Sequence, residues 1–95
     1  MVNMMNKNNQ PICKIDEDGD KQWILNGRFH REDGPAIEYG GDDYRAWYLY
    51  GQRHRIDGPA VVWGNGDKYW YYHGKHINCS SQKEFERLIN LKALW

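Results

Sequence analysis

The chain has 95 residues, enough for one domain, and a domain of that size buries only about 60–65% of the surface its unfolded chain exposes. Thirteen Lys and Arg balance thirteen Asp and Glu to a formal charge of zero, which argues against a generic DNA binder and an acidic DNA mimic alike. Ile, Leu, Val and Phe number only 17, but fourteen aromatic residues supply the missing apolar area, so the core is expected to be aromatic.

Residues 1–10 are Asn-rich, lack the apolar stretch of a secretory signal and read as a flexible tail. No apolar run approaches the ~18 residues of a membrane span, so a cytoplasmic address is expected, or the host cytoplasm for a phage-encoded chain. A reducing compartment would leave Cys13 and Cys79 as thiols.

From residue 11 the chain repeats itself. Pro11, Pro35 and Pro59 open three units, 11–34, 35–58 and 59–79, with offsets of 24 and 24, and Trp23, Trp47 and Trp70 follow with offsets of 24 and 23. Within each unit a β-rich run leads through a Gly/Asp turn into a second β-rich run holding the Trp, the pattern of a hairpin. Units are joined by His-Arg-Xaa-Asp-Gly-Pro links, whose Pro lacks an amide donor and suits the first residue of a strand. Three tandem hairpins over 11–79 are therefore expected to form a mainly β, twisted antiparallel meander of about six strands.

The third unit ends differently. Ser81 and Glu84 form a capping box, and Phe85, Leu88, Ile89, Leu91, Leu94 and Trp95 make an apolar stripe. A C-terminal α-helix is expected within 80–95, from about Ser81 to Leu94, sealing the end of the array.

The unit Trp-Xaa-Xaa-Xaa-Gly-Xaa-Xaa-His-Xaa-Xaa-Xaa-Gly resembles the MORN repeat. More closely it resembles the Trp-Tyr-Xaa-Asn-Gly-Xaa-Xaa-His-Arg-Xaa-Asp-Gly-Pro-Ala variant of short bacterial, phage and large-virus proteins. The likeness spans residues 11–77, roughly 70% of the chain, and departs from the ordinary repeat in its His-Arg-Xaa-Asp-Gly-Pro link. It implies a hairpin fold and a role in scaffolding or membrane attachment; it supplies no catalytic residues.

His30, Arg31 and Asp33 recur as His54, Arg55 and Asp57. Catalysis needs one base, one orienting carboxylate and one nucleophile, and has no use for a copy a repeat later. The structural reading is that Asp organises the turn before Pro35 or Pro59, while His and Arg bridge neighbouring repeats. A zinc site would need a second ligand pair beside His76 and Cys79, and a calcium loop from Asp16 would need Gly and Glu where Lys21 and Gly27 stand. No enzyme, cofactor or metal is expected.

Strand alternation places Trp23 with Leu25, Trp47 with Leu49 and Trp70 with Tyr72 on one face, expected to be the core stripe. The opposite face gathers Ala46, Tyr48 and Tyr50, then Tyr69, Tyr71 and His73, which one short helix cannot also cover. Tyr48, Tyr50, Tyr69, Tyr71 and His73, with Arg53 and Arg55, are the candidate partner contacts. The expected function is non-enzymatic protein binding, with homodimerisation as its simplest form. Length, tail and resemblance together suggest a small phage or bacterial inhibitor that occupies a site on a host defence complex, such as a CRISPR effector. Nucleic acid is the alternative partner, through Arg53, Arg55, Tyr48 and Tyr71; with no net positive charge such binding would be weak and salt-dependent.

Overall fold

The β-rich runs are strands in the computed structural model, which describes residues 10–91. The first repeat holds β1 (Ile12–Ile15), β2 (Lys21–Leu25) and β3 (Arg28–Phe29). The second holds β4 (Ile37–Tyr39), β5 (Tyr44–Ala46), β6 (Tyr48–Leu49) and β7 (Gln52–Arg53), and the third β8 (Val61–Val62), β9 (Lys68–Tyr72) and β10 (Lys75–Ile77) before helix α1 (Gln82–Asn90). Every pairing is antiparallel, and the main sheet runs β1-β2-β4-β5-β8-β9-β10, with β3 also on β2 and β6-β7 as a small second ladder. The fold is thus mainly β, an antiparallel meander with one C-terminal helix. The Cα envelope measures 47 × 31 × 16 Å, a single sheet thick over most of its length.

Each repeat holds two hairpins rather than the one expected, because its Trp strand is shared. Trp23 is the fork: its N–H donates to the Ala36 carbonyl of the next repeat at 2.8 Å, while its own carbonyl accepts from His30 N–H at 3.0 Å. Trp47 repeats this with Ala60 and His54 at the same distances. Beyond the fork the strand turns back through Asn26-Gly27, Tyr50-Gly51 or His73-Gly74. Both residues of each pair have positive φ (52° and 82°, 49° and 85°, 46° and 83°), the backbone of a type I′ turn.

Asn tolerates that backbone best, whereas Tyr strains in it and His does so to a lesser degree. The strain at Tyr50 is held by the repeat before: its N–H donates to His30 Nδ1 at 2.9 Å and its ring lies 4.1 Å from the imidazole. His73 is held alike by His54, at 2.8 Å and 4.1 Å. His30 and His54 are both buried, at 2% and 6% exposure. No histidine precedes residue 30 in the chain, and there the turn residue is Asn26. In the third repeat the position equivalent to the two histidines, seven after the Trp, is Ile77, buried beneath the helix.

Two buried clusters lie on opposite faces. Ile37, Ala46 and Val61 form a cross-strand row, with Phe29, Tyr39, Tyr44, Tyr48 and Tyr71 packed over it half-buried. This corrects the expectation of a single core stripe on the Trp face: the tyrosine face carries its own core, because Ala46 and the short aliphatics beside it leave room for rings to lie across them. On the Trp face the second cluster is Trp70, Ile77 and Phe85, with Leu88 and Ile89 against it.

The helix starts where expected. Ser81 Oγ accepts from Glu84 N–H at 3.1 Å, and the Glu84 carboxylate accepts from the Ser80 N–H at 2.8 Å, one residue before the position a standard capping box uses. These bonds favour the ionised form and hold the Glu84 carboxyl below its ordinary value. The helix closes at Asn90 with Leu91 as C-cap, so Leu91, expected on the apolar stripe, stands 59% exposed. Leu94, Trp95 and the tail over 1–9 lie outside the described residues. Among the described residues no helix is long and apolar enough to cross a membrane.

If the imidazole restrains the strained turn, His54→Ala should cost about 2 kcal/mol in urea unfolding. Adding His73→Asn should recover part of the loss, since Asn accepts positive φ; a double mutant no more stable than His54→Ala alone would contradict the mechanism. Protonation should act similarly. Burial, and then the neighbouring His73, lower the His54 pKa below its usual 6.5, so as pH falls the unfolded chain takes up the proton first. The stability this histidine lends is complete above about pH 6.5 and is lost as pH drops below it. The urea midpoint should fall between pH 7.5 and 5.5, and fall less in His54→Asn.

Candidate functional site

The two faces differ in how their rings are covered. On the Trp face the Arg31 guanidinium lies 3.7 Å from the centre of the Trp23 ring, and Arg55 lies 3.8 Å from that of Trp47. Arg31 Nε donates to Asp33 and Arg55 Nε to Asp57, both at 3.0 Å, and each Nη1 donates to a proline carbonyl, Pro35 or Pro59, at 3.1 Å. Glu38 adds a second carboxylate to Arg31 at 3.1 Å. Asp33 and Asp57, read from the sequence as turn organisers, thus work by holding the arginines. The glycines complete the clamp: a Cβ on Gly34 would stand 2.8 Å from the Arg31 Cζ, and one on Gly58 2.6 Å from that of Arg55. In the third repeat Trp70 has no arginine lid; its Nε1 donates to Gln82 Oε1 at 2.7 Å, and Phe85 of the helix packs over it.

A groove of about 490 Å³ runs between the two links, lined by Arg31, Trp47, Leu49, His54 and Arg55 among others. Its guanidinium groups are already neutralised by Asp33, Glu38 and Asp57, and the Nδ1 atoms of His30 and His54 are engaged by turn amides. Among the described residues no group of three or more His, Cys, Asp or Glu side chains is placed to hold a metal ion. The groove is a product of the clamps.

The tyrosine face is different in kind. Register places Ile12, Gln22, Ile24, Phe29, Ile37 and Tyr39 on it, then Tyr44, Ala46, Tyr48, Val61, Tyr69 and Tyr71. Its rings touch in two groups: Tyr39 to Tyr44 at 5.7 Å between centroids with Tyr44 to Trp63 at 4.4 Å, and separately Phe29 to Tyr48 at 5.2 Å. Tyr69 and Trp63 are the most open of them, at 41% and 36% exposure. No protein family, curated protein or solved structure matches the chain.

Of the residues the sequence marks for partner binding, Tyr48, Arg53, Tyr69 and Tyr71 come together on this face. Tyr50 and His73 do not; they sit in the type I′ turns, stacked on His30 and His54. Arg55 lies on the opposite face, over Trp47. Phe29, Tyr39, Tyr44 and Trp63 belong to the face but escape the sequence reading, which follows alternation along the Trp strands alone. Tyr39 and Tyr44 bracket the Gly40–Asp43 turn as a cross-strand pair: alternation along the first strand of the hairpin would find Tyr39, and alternation carried two residues back from Ala46 would find Tyr44.

Arg53 projects among these rings, its guanidinium carbon 5.2 Å from the Tyr71 centroid and 5.8 Å from that of Tyr48. Its Nε is buried without a hydrogen-bond partner. Burial, and then Tyr48, raise the pKa of the Tyr44 hydroxyl, with Arg53 opposing them, so the phenol stays protonated at neutral pH.

Gly58→Ala should push Arg55 off Trp47 and cost roughly 1–2 kcal/mol in urea unfolding. Gly40→Ala, with nothing within 4 Å of its Cβ and no positive φ, is the control and should be neutral or slightly stabilising. Equal effects at the two positions would contradict the clamp.

Proposed function

We propose that the chain is a non-catalytic protein-binding module that docks its partner on the tyrosine face. One observation carries this reading: the sheet is a single layer, its helix covers only the other face at one end, and half-buried rings line this face across three repeats. Broad, rigid aromatic side chains with polar tips give large contact area at small entropic cost, which is why Tyr, Trp and Arg concentrate where proteins bind one another. The outline of 47 × 31 Å accommodates the ~800 Å² per partner of a standard interface. Occupying a site on a host defence complex, the finer expectation from the sequence, is one form such binding takes. The balanced charge and the acidic hairpin tips, Asp16–Asp20 and Asp42–Asp43, favour a protein over a nucleic-acid strand.

The test is affinity capture from host-cell lysate with surface variants. Tyr69→Ala and Trp63→Ala should each weaken capture of the partner by roughly tenfold or more, as interface anchors do. Ile56→Ser, at an exposed link residue outside the tyrosine face, should leave it unchanged. Loss with Ile56→Ser and retention with Tyr69→Ala would place the binding surface elsewhere.

A further inference from the structure

Charge is sorted between the two faces although the chain as a whole is neutral. The one carboxylate borne by a strand, Glu38, lies opposite Lys21 and Arg45 on the Trp face, and the other acids of the described residues fall in turns, links and the helix. On the tyrosine face the strands present Lys14, opposite Gln22, and Arg53, opposite Tyr48, and no carboxylate. Of the other five arginines, Arg28, which pairs with Leu25 on the Trp face, also has no acid within 4.0 Å among the described residues, and the remaining four differ. Arg31, Arg45, Arg55 and Arg87 each have an acidic neighbour within 4.0 Å, but among the described residues none pairs with Arg53. Arg53 is instead held among aromatic rings, with its Nε buried beneath them and the Tyr44 and Tyr48 hydroxyls beside its guanidinium.

We infer that the protein docking on the tyrosine face presents an Asp or Glu carboxylate to Arg53, flanked by apolar side chains that lie on the rings of Tyr48 and Tyr71. The inference rests on that face being the binding surface. A guanidinium forks two donors toward a carboxylate, and the low-dielectric ring environment strengthens the contact once water is excluded. The flanking rings are sites for aliphatic and aromatic groups, so the recognised feature is an acid within an apolar surface, in contrast to an extended polyanion. A second copy of this chain matches poorly, because its own tyrosine face offers no strand carboxylate.

The test pans a displayed library of random peptides against the full chain, with an oligothymidylate titrated in parallel. Selected peptides should carry an Asp or Glu beside apolar residues. Their affinity should fall roughly tenfold or more with Arg53→Gln, and as far when that acid is changed to its amide, with Arg53→Lys in between. Unchanged circular dichroism and thermal midpoint in Arg53→Gln would show that the fold survives. Peptides that need Tyr69 and Trp63 but bind Arg53→Gln as well as wild type would overturn the carboxylate and leave the face intact. Peptides indifferent to Tyr69→Ala and Trp63→Ala, or no enrichment at all, would overturn both. Oligothymidylate binding that needs Arg53 at physiological salt would overturn the protein partner.

Discussion

A single hydrogen bond, from the amide of a strained turn residue to the Nδ1 of a buried imidazole one repeat earlier, ties this array together. Tyr50 and His73 occupy left-handed backbone that their side chains disfavour, and His30 and His54 offset the strain with an acceptor and a stacked ring. The turn reverses the Trp strand, and the reversed strand supplies the next unit with further bonds, such as Gly51 N–H to Phe29 O at 2.8 Å and Arg31 N–H to Tyr48 O at 3.1 Å. Local strain in one unit is thus resolved by its neighbour, which makes folding of the units cooperative, as expected of stacked repeats.

The arginine clamps explain why the molecule is thin. A bare tryptophan stripe would call for a second layer, but a guanidinium lying flat on Trp23 or Trp47, fixed by an Asp and a proline carbonyl, covers each ring with one side chain. Only Trp70 needs the helix. With one face closed so economically, the rings on the other serve two ends: their inner sides roof Ile37, Ala46 and Val61, and their outer sides make the surface proposed for binding.

Much of the fold is legible in the sequence. The β-rich runs with their Gly/Asp turns and the Ser81–Glu84 cap foretell the antiparallel meander and the start of the helix. The second hairpin in each unit is not, because only the first carries Asn-Gly; Tyr50-Gly51 and His73-Gly74 become readable as turns once the buried imidazoles are seen. Alternation separates the two faces correctly, yet which side holds a core depends on what covers the rings, and that is settled by Arg31 and Arg55 from outside the strands. The candidate set splits for the same reason: Tyr48, Arg53, Tyr69 and Tyr71 follow strand periodicity, whereas Tyr50, His73 and Arg55 obey turn and link geometry.

The two ends of the array are written differently from its middle. Asn26 opens it with a turn that leans on no earlier imidazole, and Ile77 closes it where an imidazole would face no later turn. The unit between them, residues 35–58, both takes an imidazole, His30 at Tyr50, and lends one, His54 to His73, so its two borders match each other like the faces of a single building block.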